Sequence, residues 1–115
     1  MKVPILKQKD ILIATVQSAL SDQDLLGFQD NLSQQVTHHR SRGVVIDITE
    51  LDIIDSFATR TLRHIAAILK LRGAETVIVG MQPDVAFTMV QLGLTLPNVK
   101  TAHDLEEGLA LLQES

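Results

Sequence analysis

Apolar positions along the chain keep two different rhythms. Residues 3–8 (VPILKQ) and 11–16 (ILIATV) read as two strands joined by the tight turn Lys9-Asp10. The stretch SALSDQDLLGFQDNLSQQVTHHR then shifts to a helical period, with Leu25, Phe28, Leu32 and Val36 forming one apolar stripe. Ser21 and Asp24 have the spacing of a capping box near its start. Arg40 and Arg42 stand where cations complement a helix C-terminus, and Gly43 suits the position just past it.

VVIDI (44–48) is apolar on both faces, the pattern of an interior parallel strand covered by helices. The next helix is predicted from about Phe57 to Leu71, with Ala58, Leu62, Ile65, Ala66 and Leu69 facing inward and Gly73 closing it. TVIV (76–79) is a second doubly buried strand. Pro83 opens a helix with Val85, Ala86, Met89 and Val90 on one side and Gly93 at its stop. A short strand around Val99 leads through Thr101 and Asp104, a further cap pair, to a last helix with Leu105, Leu109 and Leu112.

The order β-β-α-β-α-β-α-β-α predicts an α/β fold, an N-terminal antiparallel hairpin followed by parallel strands in one mixed sheet, packed with about four α-helices. No linker or internal repeat interrupts it, so residues 1–115 read as a single domain.

Composition narrows the function classes. Of 115 residues 45% are hydrophobic but only 3% aromatic, with no Trp or Tyr, so Leu, Ile, Val and Ala build the core. Bases would find no stacking platform. A net charge of −4 with basic residues dispersed along the chain argues against a nucleic-acid surface. The absence of cysteine removes disulfides and thiolate metal sites, and fits a reducing compartment. The opening MKVPILKQKD has an apolar run broken at Lys7, too short for a signal peptide or membrane span. A cytoplasmic protein without membrane association is the expectation.

Candidate chemistry thins out quickly. His38 and His39 are adjacent on a helix and point about 100° apart, so they cannot chelate together. His64 and His103 lack acidic or cysteine companions at ligand spacing. Neither GxGxxG nor GxxxxGK[ST] occurs, nor a GxSxG elbow. Asp47, Asp52 and Asp55 form an acidic neighbourhood, as a phospho-acceptor aspartate of the response-regulator type would need. That chemistry also needs an acidic pair after an early strand to hold Mg²⁺, and Gln17-Ser18 stands there instead. Lys100 is followed by Thr101 rather than proline. No cofactor, no metal and no enzymatic activity are expected.

The stretch ELDIIDSFATRTL is the distinctive feature, because strand-like sequence turns into helix at Asp55-Ser56 with no turn residues between. Ser56 reads in two ways. As an N-cap its hydroxyl would accept an orphan backbone N–H and stabilise the helix by about 1 kcal/mol. As a modification site it would hold a phosphate at the positive end of the helix, with Arg60 and Arg63 one to two turns on. Asp52 and Asp55 would repel that phosphate, whose charge of about −1.5 to −2 would act chiefly on a docking partner.

VVIDITELDIIDSFATRTLRHIAAILKLRGAETVIVGMQPDVAFTMVQLGL resembles the STAS domain, the fold of sulfate transporters and anti-sigma-factor antagonists. VPILKQ, DSFATRTLR, LRGAETVIVG, QPDVAFTMVQLGL and DLEEGLALL, in order, resemble the RsbS-type antagonists of stressosomes within that family. The resemblance implies a non-catalytic scaffold. It implies assembly with RsbR-like co-antagonists into a large hetero-oligomer that captures an RsbT-like serine/threonine switch kinase. Under stress the kinase phosphorylates the antagonist serine, Ser56 by the motif, and is released to a downstream partner; a PP2C-like phosphatase resets it. Serine where co-antagonists usually carry threonine, and the absence of a sensory domain, favour the small subunit. Asp55, Phe57, Thr59 and Arg60 become the expected kinase-docking residues, and Thr59 a secondary acceptor. The alternatives are a free antagonist that binds an anti-sigma kinase directly, and a small nucleotide-binding or enzymatic α/β domain using the acidic neighbourhood.

Overall fold

The computed structural model describes residues 3–113 and contains the nine elements in the predicted order. β1 (Ile5–Gln8) and β2 (Ile11–Thr15) form the hairpin, and α1 (Asp22–His39), β3 (Gly43–Asp47) and α2 (Ser56–Leu71) follow. β4 (Glu75–Val79), α3 (Pro83–Gln91), β5 (Val99–Ala102) and α4 (Leu105–Gln113) complete the chain. Strand order in the single sheet is β1-β2-β3-β4-β5, with β1 antiparallel to β2 and every other pair parallel.

Register explains the doubly apolar strands. Ala14, Ile46 and Ile78 lie side by side across β2, β3 and β4, and Ile13, Val45 and Val77 form the neighbouring row. Successive residues of a strand point to opposite faces, so the two rows enter two separate cores. The first row packs with Phe28, Leu32 and Val36 of α1, Leu62, Ile65 and Leu69 of α2, and Val85 and Met89 of α3. The second packs with Leu112 and the half-buried Leu105 and Leu109 of α4. Three helices thus cover one face and one short helix the other.

That helix must lie close to the strands. A methyl group added at Gly108 would stand 2.7 Å from Cγ1 of Val79. Its start is capped by Asp104, whose Oδ1 accepts the Glu107 N–H at 2.9 Å; Thr101 belongs to β5 and takes no part in a cap pair.

Four further local expectations are corrected. α1 begins at Asp22 behind its Ser21–Asp24 capping box, so Ser18 to Leu20 are a lead-in rather than helix. Gly43 does not end α1. Arg40 adopts the left-handed C-cap conformation (φ 51°, ψ 44°), and Gly43 already belongs to β3, beneath the side chain of Leu112. Arg42 turns away from α1, donating from Nε to Asp10 Oδ2 at 2.6 Å and from Nη1 to the Leu112 carbonyl at 2.5 Å. It joins the β1–β2 turn to the end of α4. Val90 is 78% exposed, because α3 packs through Val85 and Met89, and the next residue rotates about 100° off that stripe.

The parallel strands impose a polarity on the molecule. All four helices start at the edge where β2 to β5 end, and return the chain to the opposite edge. Asp22, Asp24, Asp84, Glu106 and Glu107 lie in first helical turns. His38, His39 and Lys70 lie in last turns, with Arg40 and Arg72 as C-caps. Arg40, Arg42 and Arg72, separated in sequence, therefore come together at one edge. Among the described residues no helix is long and apolar enough to cross a membrane.

Two glycines separate close packing from mere flexibility. Gly108→Val should destabilise by about 1–3 kcal/mol through overpacking against Val79. Gly27, in mid-α1 with nothing within 4 Å of an added Cβ, should gain about 0.5–1 kcal/mol on substitution by Ala. Urea midpoints shifting in opposite directions are expected; equal midpoints would contradict this account of α4.

Candidate functional site

The junction between β3 and α2 is assembled from loops at the strand-end edge. β3 ends at Asp47, whose Oδ1 accepts both the Thr49 N–H at 2.9 Å and the Thr49 hydroxyl at 2.6 Å. That turn sends the chain up from the sheet. The Val16 N–H donates to the Asp47 carbonyl at 2.9 Å, tying in the end of β2. From the other side, Gln82 Nε2 donates to the Thr49 carbonyl at 2.7 Å. Gly80 allows this approach: its φ is 76°, and an added Cβ would lie 2.0 Å from the Thr49 hydroxyl oxygen.

Ile54, buried, then anchors the chain just before α2, whereas its neighbour Ile53 is 72% exposed. A hollow of about 90 Å³ opens beside this anchor, lined by Val16, Leu20, Leu25, Ile53, Ile54 and Ala58.

The helix start corrects the reading of Ser56 as the cap. Asp55 is the N-cap, extended at φ −97° and ψ 177°, and its Oδ1 accepts the Ala58 N–H at 2.7 Å. Ser56 is the first helical residue, half-buried, and no hydrogen bond engages its hydroxyl among the described residues. Both residue types are good caps, so local preference could not choose between neighbours. The buried anchor at Ile54 puts Asp55 at the half-turn where a cap must stand.

The shift by one residue also relocates Thr59. It is completely buried and its hydroxyl donates to the Asp55 carbonyl at 3.0 Å, which removes it from the surface as a docking residue or secondary acceptor. Thr61 does the same two residues on, donating to the Phe57 carbonyl at 2.9 Å. Asp55 and Arg60 are exposed and Phe57 is half-buried. On a helical wheel Arg60 lies about 40° and Arg63 about 20° from Ser56, so both share its face. Helical side chains lean toward the N-terminus, which aims Arg60 back at the serine. Neither arginine meets a carboxylate among the described residues.

The acidic neighbourhood does not converge. Asp47 is engaged by Thr49, Asp55 by Ala58, and Asp52 is exposed. Among the described residues no three His, Cys, Asp or Glu are placed to hold a metal ion. Thr49, Gly80 and Gln82 brace the site and escaped sequence reading. Gln82 stands at the N-cap position of α3, but its side chain makes no cap bond and crosses to another loop.

Comparison with known proteins agrees with this architecture. The family model described as the STAS domain matches residues 2–108. RsbT co-antagonist protein RsbRA of Bacillus subtilis is 28% identical over 101 residues, which is 88% of this chain and 37% of RsbRA. The chain thus spans little more than a third of that relative. A serine-to-glutamate variant of RsbS from Moorella thermoacetica superposes with a TM-score of 0.84 at 36% identity, covering 97% of this chain and 95% of that one. A chain from the stressosome, a signal integration and transduction hub, matches with a TM-score of 0.83 at 37% identity over 96% of both. With the family match running through all five strands and into α4, the chain belongs to the STAS domain family.

Proposed function

We propose that this chain is an RsbS-type scaffold subunit of a cytoplasmic stressosome, and that Ser56 is its phospho-acceptor. The unphosphorylated form holds an RsbT-like serine/threonine switch kinase, in company with RsbR-like co-antagonists. The kinase transfers the γ-phosphoryl group of ATP to Ser56 Oγ; the hydroxyl proton passes to a base of the kinase and ADP leaves. The phosphorylated surface releases the kinase, and a PP2C-like phosphatase restores the serine by hydrolysis. The chain itself contributes no catalysis.

One observation carries this reading: the cap of α2 is Asp55, which leaves the Ser56 hydroxyl without a structural duty at the helix start. Modifying it costs the helix no cap. The N–H groups of Ser56 and Phe57 have no partner within the helix, and with the positive end of the dipole they favour an added phosphate. Arg60 and Arg63 supply opposite charge on the same face. Asp52 and Asp55 oppose it, so the modification acts mainly by changing the charge a docked partner meets. Asp55, Phe57 and Arg60, with exposed Ile53, form the docking surface. Similarity to RsbS over 95% of that chain supports the scaffold assignment.

Incubation with an RsbT-like kinase and ATP, followed by mass-spectrometric mapping, should place the phosphate on Ser56; phosphate elsewhere with Ser56 untouched would overturn the site. In pull-downs Ser56→Ala should capture the kinase and fail to release it on adding ATP. Ser56→Asp should bind at least about tenfold more weakly, a loss of about 1.4 kcal/mol. Equal affinity of the two variants would sink charge-driven release. Chemical denaturation supplies an independent check: Asp55→Ala should lose about 1 kcal/mol, and Ser56→Ala less than about 0.5 kcal/mol.

A further inference from the structure

At the edge opposite Ser56, α1 and α2 end side by side around a hollow of about 380 Å³, lined by Thr37, Arg40, Ser41, Arg42, Arg72 and Gly73 among others. Arg42 is engaged by Asp10 and the Leu112 carbonyl. Arg72 donates from Nη1 to the Thr37 hydroxyl at 2.5 Å, and Arg40 is exposed. Neither Arg40 nor Arg72 meets a carboxylate among the described residues. Cations here offset the partial negative charge of two helix ends, which accounts for their position but leaves most guanidinium N–H groups unused. Ser41, 3% exposed, forms part of the wall of the hollow.

The complementary chemistry lies on the same chain. In the loop between β3 and α2, Glu50 and Asp52 are exposed, and neither makes a hydrogen bond or ion pair among the described residues. The Asp47–Thr49 turn and the Gln82–Thr49 bond hold the root of that loop, so its carboxylates are presented with little ordering left to be done.

We propose that the hollow of Arg40 and Arg72 receives Glu50 and Asp52 of a second copy of this chain. Arginine and carboxylate pair in a forked, directional geometry, which gives the contact its orientation. The two surfaces are different, so the contact is heterologous: each copy in a pair keeps one free hollow and one free loop, and growth continues until a ring closes or a filament forms. Asp52 lies four residues before Ser56 but outside the residues assigned to kinase docking, and the contact holds with Ser56 unmodified. Its failure would leave the phospho-acceptor reading untouched, and the reverse.

Sedimentation velocity of the full chain tests it. Association should be present at about 0.01 M salt and lost at about 1 M, where the screening length falls from about 30 Å to about 3 Å. R40E/R72E and E50K/D52K, each alone, should associate at least about tenfold more weakly at low salt. An equimolar mixture of the two should recover association, because every contact between unlike variants restores opposite charges. Circular dichroism checks each fold, and R40Q/R72Q, which only removes charge, should weaken association if the glutamate variant misfolds. A wild-type monomer at low salt, or variants that associate normally, or a mixture that fails to recover, would each overturn the proposal. So would loss with R40E/R72E but not with E50K/D52K, which would assign the hollow to a different acidic partner. Sulfate raising the melting temperature of a strictly monomeric wild type would assign it to a small anion instead.

Discussion

Parallel pairing of β2, β3, β4 and β5 requires every crossover to begin at one edge of the sheet and finish at the other. Because β3 and β4 are buried on both faces, each crossover must also lay an apolar stripe on the strands. These two demands organise the rest. They collect four helix starts at one edge, where α2 presents Ser56, and four helix ends at the other. They also place charge, since acidic residues are favoured at helix starts and basic residues at helix ends: α1 has both, α3 and α4 the acidic start, and α2 the basic end. The resulting polarity comes from backbone geometry repeated in parallel.

Within that frame, the start of α2 divides labour between adjacent residues. Asp55 supplies the acceptor that α2 needs, and Ser56 contributes its backbone to the helix without committing its hydroxyl. Thr59 and Thr61 seal the same turn from within by donating to carbonyls four residues back. The helix start is thus stabilised by groups other than the Ser56 hydroxyl. Its loop is tied to β2 through Val16 and to the start of α3 through Gln82, so the platform around the serine is continuous with the sheet edge.

The two faces of the sheet are covered unequally. α1, α2 and α3 share one core, whereas α4 alone closes the other and relies on the absence of a side chain at Gly108 to come near enough. Arg42 fastens the far end of α4 to the β1–β2 turn. A short helix with few inward leucines gains from such anchoring, because each added contact shares ordering already imposed by its neighbours.

Much of this was legible in the sequence, and the reason is periodicity. Leu25, Phe28, Leu32 and Val36 recur at helical spacing and are the buried residues of α1. VVIDI and TVIV have no polar face and became interior strands. The capping box at Ser21 and Asp24, the proline opening α3 and the glycine after α2 are local signals that act through their own backbone, so they could be read locally. Choices between near-equal local options could not. Asp55 and Ser56 cap equally well, and only the burial of Ile54 selects between them. Thr59 looks like a surface hydroxyl until the helix phase turns it inward. Arg42 has the sequence position of a helix-end cation, yet its partners lie 32 and 70 residues away. Gln82 reaches a carbonyl 33 residues distant. Sequence sets which residues can make an element, because hydrophobic period and capping are short-range. Which neighbour wins, and which charges meet, is decided only when the strands pair and distant segments share one edge.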